Sequence, residues 1–343
     1  MIREAIEKVV KRIDLTEAET RGVFEEIMSG RATDAQIGAF AALLRMKGET
    51  VEEITGAASV MREKSVRIDL GRKPVDVDGE AIIDTCGTGG SGVNTFNIST
   101  TVAFVLAGSG LKVAKHGNRG ASSRCGSADV LESLGVKIDI APDMVRRCIL
   151  EIGIGFMYAP LFHDAMKYAV APRKEIGIRT IFNILGPLSN PANPTSQILG
   201  VYDARLTEVM AGVLKNLGVR RAFVVCGMDM LDEITITGKT KVTELESGSI
   251  KTYYTTPEKF GLERSSLEEI KGGDAKENAE ITISILKGER GPRRDIVLLN
   301  AGAGLVCGLK ARDFKAGAKQ AAESIDSGRA LDKLLKLIEI TNR

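Results

Sequence analysis

Tryptophan is absent from the 343 residues, histidine occurs only twice, and five cysteines are scattered with no Cys-x-x-Cys pair. The first absence carries no functional information. The other two make a zinc site improbable, because such sites draw on histidine and paired thiolates. Cys86, Cys125, Cys148, Cys226 and Cys307 are odd in number, the pattern of reduced thiols in a cytoplasmic protein. No apolar run approaches the roughly 20 residues that span a bilayer. The N-terminal MIREAIEKVVKRIDL carries acids throughout, so no signal peptide is expected there. With a net charge of +2 and 4% aromatic residues, neither nucleic acid nor a membrane is expected as partner.

The most informative absence is local. Thr85 to Ala128 contains no Asp or Glu, although 45 acids in 343 residues predict about six in a stretch of that length. The same stretch holds Lys112, Lys115, Arg119 and Arg124. A surface built from it should be positive and suited to a ligand carrying several phosphates.

Glycine, by contrast, is abundant at 37 residues, and it concentrates in DTCGTGGSGVNTFNIST, residues 84 to 100. Gly87, Gly89 and Gly92 satisfy G-x-G-x-x-G after a predicted strand and before a predicted helix, which raises a Rossmann dinucleotide site. That site needs an acid about 20 residues later for the ribose hydroxyls. Here the next strand ends in Lys115-His116-Gly117-Asn118-Arg119, and the dinucleotide reading fails. The loop glycines instead allow backbone N–H groups to converge on an anion. Asn97, Ile98, Ser99 and Thr100 open the following helix, where Ser99 is placed to ligate a metal ion bridging phosphate oxygens. Lys115 and Arg119 would balance charge from the second strand end.

Around this loop the chain divides. Residues 1 to 72 read as helices. Thr16/Glu19, Thr33/Gln36 and Thr50/Glu53 have capping-box spacing and mark three helix starts. Ile37, Phe40, Ala41 and Leu44 recur at helical spacing, with Gly48 placed to end that helix. A further helix spans Met1 to about Arg12. From GRKPVDVDGE onward, strands alternate with helices: AIIDT (81–85), LKVAK (111–115), VKIDI (136–140), GFMYA (155–159), QILGVY (197–202), RAFVVC (221–226) and DIVLLNA (295–301). The expected fold class is α/β, with a small N-terminal helical bundle and a larger α/β domain around a mainly parallel sheet. The helical stretch 164–190 interrupts the alternation and is expected to return to the bundle. The α/β domain then comprises 73–163 and 191–343.

Two further features carry possible chemistry. Asp232 and Glu233 follow the strand RAFVVC, with Asp229 nearby, where carboxylates suit Mg²⁺. Arg173 offers a guanidinium that can grip a carboxylate through two hydrogen bonds. Each has a plainer reading, as a solvated turn and as a surface charge. His163 by default is a capping or packing residue.

Taken together, GTGGSGVNTFNIST, KHGNRGASSRCGSADVLESLG, FMYAPLFHDAMK, RKEIGIRTIFNILGPLSNPA and LDEIT resemble the anthranilate phosphoribosyltransferase family almost end to end. The resemblance implies the fold of the nucleoside phosphorylase/phosphoribosyltransferase class, with helical and α/β domains joined by a hinge. It also implies a homodimer through the helical domains, and Mg²⁺-dependent phosphoribosyl transfer from phosphoribosyl pyrophosphate to anthranilate in tryptophan biosynthesis. Gly87, Gly90, Ser91, Thr95, Asn97, Ile98, Ser99 and Thr100 match the family's phosphoribosyl pyrophosphate site. So do Lys115, His116, Gly117, Asn118, Arg119, Gly120, Ala121, Ser122, Ser123 and Ser127. Ser99, Asp232 and Glu233 match its magnesium ligands. Gly87, Asn118 and Arg173, with His163 and Pro187, match its anthranilate pocket. No residue is implied as a general acid or base. The sequence departs from the family at Ser91, where GTGGD is usual and a carboxylate is therefore missing, and at HDAMK in place of HPAMK. A pyrimidine nucleoside phosphorylase would share the architecture, but KHGNR and GPLSNP argue against it.

Overall fold

Three helix starts are fixed by reciprocal side-chain hydrogen bonds. In the computed structural model, which describes residues 1–71, 81–90, 92–120 and 124–343, Thr16, Thr33 and Thr50 each accept from the backbone N–H three residues on. Glu19, Gln36 and Glu53 reach back to the capping residues' own N–H groups. These boxes open α2 (Glu17–Met28), α3 (Asp34–Lys47) and α4 (Val51–Lys64), which follow α1 (Ile2–Val10). Gly48 ends α3 at φ +93°, a conformation that disfavours a side chain. Glu53 is fully buried, yet it caps α4, accepts from Leu15 N at 2.9 Å and pairs with Lys47 at 3.0 Å.

The chain then alternates through β1 (Ile82–Gly87), α5 (Ile98–Gly108), β2 (Lys112–Gly117), α6 (Ser127–Ser133), α7 (Pro142–Glu151), β3 (Ile154–Tyr158) and the short α8 (Ala159–Phe162). The helical return comprises α9 (Lys167–Ile176) and α10 (Phe182–Leu185). Next come β4 (Ser196–Gly200), α11 (Leu206–Asn216), β5 (Arg221–Gly227), β6 (Thr240–Glu246) and β7 (Ser249–Thr255). Four helices close the chain: α12 (Ala275–Leu286), α13 (Pro292–Cys307), α14 (Phe314–Asp326) and α15 (Arg329–Thr341). One seven-stranded sheet has the order β3-β2-β1-β4-β5-β6-β7, parallel from β3 to β5 and antiparallel for the last two strands.

The period of two along the strands divides the core. On β5, Phe223 and Val225 join a cluster with α5, α13 and α15, while Ala222, Val224 and Cys226 face the opposite cluster with α4 and α11. The second cluster continues into the N-terminal helices and collects Ala169, Ile181 and Phe182 from the returning segment. The Phe182 ring lies 5.6 Å from Phe24, and Phe24 lies 6.5 Å from Phe40. Each such buried aromatic contributes about 1.5–3 kcal/mol over its exposed state.

Two sequence expectations need correction, and one hairpin adds to them. Residues 136–140 form no strand: Val136 and Ile138 are buried, but Lys137 N–H turns to Thr341 Oγ1 of α15 at 3.3 Å rather than to a sheet. DIVLLNA lies within α13. Its continuous apolar run matches a buried strand, but burial of a whole helix gives the same run, and this one extends for 16 residues behind Pro292. The β6–β7 hairpin was not expected. Its signal was the turn at Ser247 (φ +48°) and Gly248 (φ +83°) between two alternating segments.

Candidate functional site

Two loops far apart in sequence meet at the end of β1. Gly89 and Gly90 turn at φ +67° and +76°, and Gly89 N–H donates to Asp232 Oδ2 at 2.9 Å across 143 residues. The fit leaves no room for side chains: a Cβ on Gly87 would stand 2.5 Å from Asp232 Oδ2, and one on Gly200 would stand 1.7 Å from the Asp232 carbonyl oxygen. Thr88 N–H donates to Gly200 O at 2.9 Å and Thr88 Oγ1 accepts from Tyr202 N at 3.2 Å. Two loop amides are therefore committed to the protein, fewer than a cradle of free N–H groups would keep. The Gly90 carbonyl accepts from Arg179, whose guanidinium lies 4.5 Å over the Tyr202 ring. Arg179 lies in RKEIGIRT, where its side chain carries no motif signal apart from this contact.

The first turn of α5 faces this loop from the other side. Ser99 O accepts from Thr85 Oγ1 at 3.0 Å, and Ser99 Oγ accepts from Lys115 Nζ at 3.4 Å. Lys115 is only 3% exposed and also donates to Thr85 O at 2.5 Å. Burial holds the lysine below its ordinary pKa, and the charge of buried Asp84 works against that shift. Asp84 in turn accepts from Asn190 Nδ2 at 2.9 Å and His116 N at 3.3 Å. Asn97 Oδ1 accepts from Asn278 Nδ2 at 3.0 Å, Thr100 Oγ1 is buried without a partner among the described residues, and Ile98 packs in the core with its N–H donating to Phe96 O at 2.8 Å. Thr95 bridges to Lys271 at the loop's outer side.

The second strand end departs from expectation at Arg119. Its guanidinium is engaged by Asp129 at 3.1 Å and by Glu132 Oε1 at 3.0 Å, while Nε donates to Tyr158 OH at 3.2 Å. These acids lie just beyond the acid-free stretch, and they neutralise the positive charge assigned to Arg119. Gly120 N donates to Asp129 at 2.9 Å, and Ser127 Oγ donates to Asn118 O at 3.3 Å. Gly117 is required by the same closure, since a Cβ there would lie 2.0 Å from Ser127 Oγ. Ser91, Ala121, Ser122 and Ser123 lie outside the described residues.

Both histidines of the chain meet at the inner end of β2. His116 and His163 pack edge to face with ring centroids 5.1 Å apart, and His116 Nδ1 lies 3.2 Å from Gly186 O, beside Pro187. Burial is the main reason their pKa values are pushed down, to about 3 for His116 and about 4 for His163, so both rings are neutral near pH 7. Neither Nε2 has a partner among the described residues. Arg173 lies 5.5 Å over the Phe182 ring, and no carboxylate pairs with it among the described residues. Its partial burial lowers its pKa, a cost that an anionic partner would offset.

Beyond β5, the three acids part ways. Asp229 is consumed by its own turn, accepting from Thr235 Oγ1 at 2.6 Å, Thr237 Oγ1 at 2.7 Å and Leu231 N at 3.2 Å. Glu233 is pushed up to about 8, first by burial of its carboxyl and then by repulsion from Asp232, with Lys115 opposing both. A divalent cation would reverse that shift. Ser99 Oγ, Asp232 and Glu233 offer hard oxygen donors, and among the described residues no group of three or more His, Cys, Asp or Glu side chains forms a metal cage. This partial set fits Mg²⁺, which keeps waters and substrate phosphates among its ligands.

The helical bundle model of the glycosyl transferase family matches residues 3–65, and the family's a/b domain model matches residues 79–331. An anthranilate phosphoribosyltransferase of Geotalea uraniireducens (strain Rf4) is 58% identical over the full length of both chains. This chain belongs to the anthranilate phosphoribosyltransferase family. The family's solved structures share its fold. The Thermus thermophilus enzyme superposes with a TM-score of 0.92 at 39% identity, covering 99% of each chain. An anthranilate phosphoribosyltransferase of Saccharomyces cerevisiae, in complex with PRPP and Mg, superposes with a TM-score of 0.89 at 30% identity over 99% of this chain and 98% of that one.

Proposed function

We propose that this chain transfers the phosphoribosyl group of 5-phosphoribosyl 1-pyrophosphate to the amine of anthranilate, giving N-(5-phosphoribosyl)anthranilate and pyrophosphate in tryptophan biosynthesis, with Mg²⁺ required. The observation that carries this reading is the union of an acid-free, glycine-lined loop with an acid pair through the Gly89–Asp232 hydrogen bond. Such a junction suits a sugar pyrophosphate accompanied by a divalent cation.

In this reading Ser99, Asp232 and Glu233 hold the ion, which supplies positive charge against the leaving pyrophosphate. The amides at the start of α5 and the loop beyond Gly89 hold phosphate oxygens, and Lys115 adds a fixed charge behind them. Preorganised charge of this kind can be the largest catalytic term. Gly87, Gly90, Thr95, residues 97–100 and 115–120, and Ser127 surround the donor; Arg119, already tied to Asp129 and Glu132, contributes through those contacts rather than a free charge. Arg173 grips the anthranilate carboxylate, and Asn118, His163 and Pro187 wall its ring. An aromatic amine keeps its lone pair at neutral pH, so alignment with C1 is the remaining requirement and no general base is needed.

Residues 1–72 with 164–190 form the helical domain, and hinge closure against the α/β domain excludes water. Support comes from the apolar cluster shared by Phe24, Phe40, Ala169 and Phe182. A homodimer through this domain would cover Val10, Met46, Val170 and Ile178, all more than half exposed. Scattered free thiols accord with a cytoplasmic location, and no helix among the described residues is long and apolar enough to cross a membrane. Loss of anthranilate fluorescence on mixing protein, phosphoribosyl pyrophosphate and Mg²⁺ tests the activity. Unchanged fluorescence with folded protein would overturn it.

A further inference from the structure

The outer strand β7 borders a groove of about 1170 Å³ that the proposed reaction does not use. β7 pairs with β6 alone, so its other backbone edge carries no sheet partner among the described residues. Across the groove stands the first half of α14. The floor is apolar: the Phe260 and Phe314 rings stack 4.6 Å apart at an interplanar angle of 6°. The rim is basic. Lys259, Lys310, Lys315 and Lys319 line it, all exposed and none in an ion pair among the described residues. The one acid there, Asp313, is occupied in capping α14 and pairing with Arg312. Thr255, the last residue of β7, is 2% exposed, and its Oγ1 lacks a hydrogen-bond partner among the described residues.

Natural sheets normally protect an edge strand, and lysines near it discourage unspecific pairing. Here the lysines stand on the facing helix, above an apolar floor and a buried hydroxyl that lacks a partner. We propose that this groove docks an extended acidic segment of a partner protein, which adds a strand to β7 and sets its carboxylates against the α14 lysines. Charge complementarity selects an acidic occupant, and the open backbone edge selects a polypeptide, since a nucleic acid has no amide ladder to complete. A second copy of this chain would bring the same lysines against one another.

Fluorescence anisotropy of the full chain with a fluorescein-labelled peptide of alternating glutamate and valine tests the proposal. Saturable, salt-sensitive binding is expected. Lys315→Glu combined with Lys319→Glu should weaken it at least about tenfold while leaving phosphoribosyl transfer unchanged, which also reports that the variant is folded. N-methylation of alternate peptide amides should weaken it by a similar factor with the protein unaltered. Absence of saturable binding, or equal binding of the N-methylated peptide, would overturn the proposal. So would tighter binding of an oligodeoxythymidylate of the same length. A monomer–dimer equilibrium shifted by the lysine variant would assign the groove to a second copy instead.

Discussion

The tips of β1 and β2 and the turn after β5 lie side by side at one end of the sheet, with opposite chemistry. The first region has no acid from Thr85 to Ala128, while the second places Asp229, Asp232 and Glu233 within five residues. Either alone would be unremarkable: a glycine turn in one case, a solvated acidic turn in the other. Their contact gives both a purpose. Asp232 accepts from Gly89 N–H, and Lys115 donates to Ser99 Oγ while interacting electrostatically with Glu233. In the proposed reaction the acids would answer to a cation, and the acid-free loop to the phosphates that accompany it. The lesson is that charge was segregated along the chain and then juxtaposed by the fold.

The largest way to break this comparison is to remove the acids. Asp232→Ala with Glu233→Ala should lower Mg²⁺-dependent kcat at least about a thousandfold. Full turnover in steady-state assays would show that the acid region is dispensable. Next, Arg173→Ala should raise the anthranilate KM about 10- to 100-fold, the range expected for charge-assisted hydrogen bonds, with little change for the phosphoribosyl donor. Equal effects on both substrates would refute its separate role.

A smaller effect concerns the histidines behind β2. Their folded pKa values are depressed from 6.5, to about 3 for His116 and about 4 for His163, so between these limits the unfolded chain binds more protons. Stability should therefore be fully present above pH 6.5 and decline as pH falls toward 4. Calorimetric melting should show this slope, and His163→Gln should flatten it; an unchanged slope would mean other groups control the acid limb. Smallest is Ser91→Asp, which restores the family's usual carboxylate and should shift half-saturation by Mg²⁺ about two- to fivefold. No shift in the metal titration would make that departure silent.

Much of the fold was legible because its signals are local. A threonine followed three residues later by Glu or Gln satisfies backbone donors within one turn, so Thr16, Thr33 and Thr50 announced their helices correctly. DIVLLNA was misread because full burial erases the difference between strand and helix periodicity. VKIDI was misread because alternating burial against α15 imitates burial in a sheet. In the candidate site, Lys115 reaches Ser99 Oγ and interacts electrostatically with Glu233. Arg119 did not keep a free charge, because Asp129 and Glu132 return to it one helix later. Arg179 carried no signal of its own: a lone arginine acquires meaning only from Gly90 and Tyr202.

The sequence by itself determined where α2, α3 and α4 begin, which stretch lacks acids and which family's motifs the chain carries, because each is written in neighbouring residues. Only the tertiary structure decided that Asp232 would hold Gly89, that Gly87 and Gly200 must lack side chains, and that both histidines would be buried and neutral. Those outcomes depend on contacts between segments as far apart in the chain as Gly87 and Asp232. There, close packing and exclusion of water set the geometry and charge, and no local pattern encodes them.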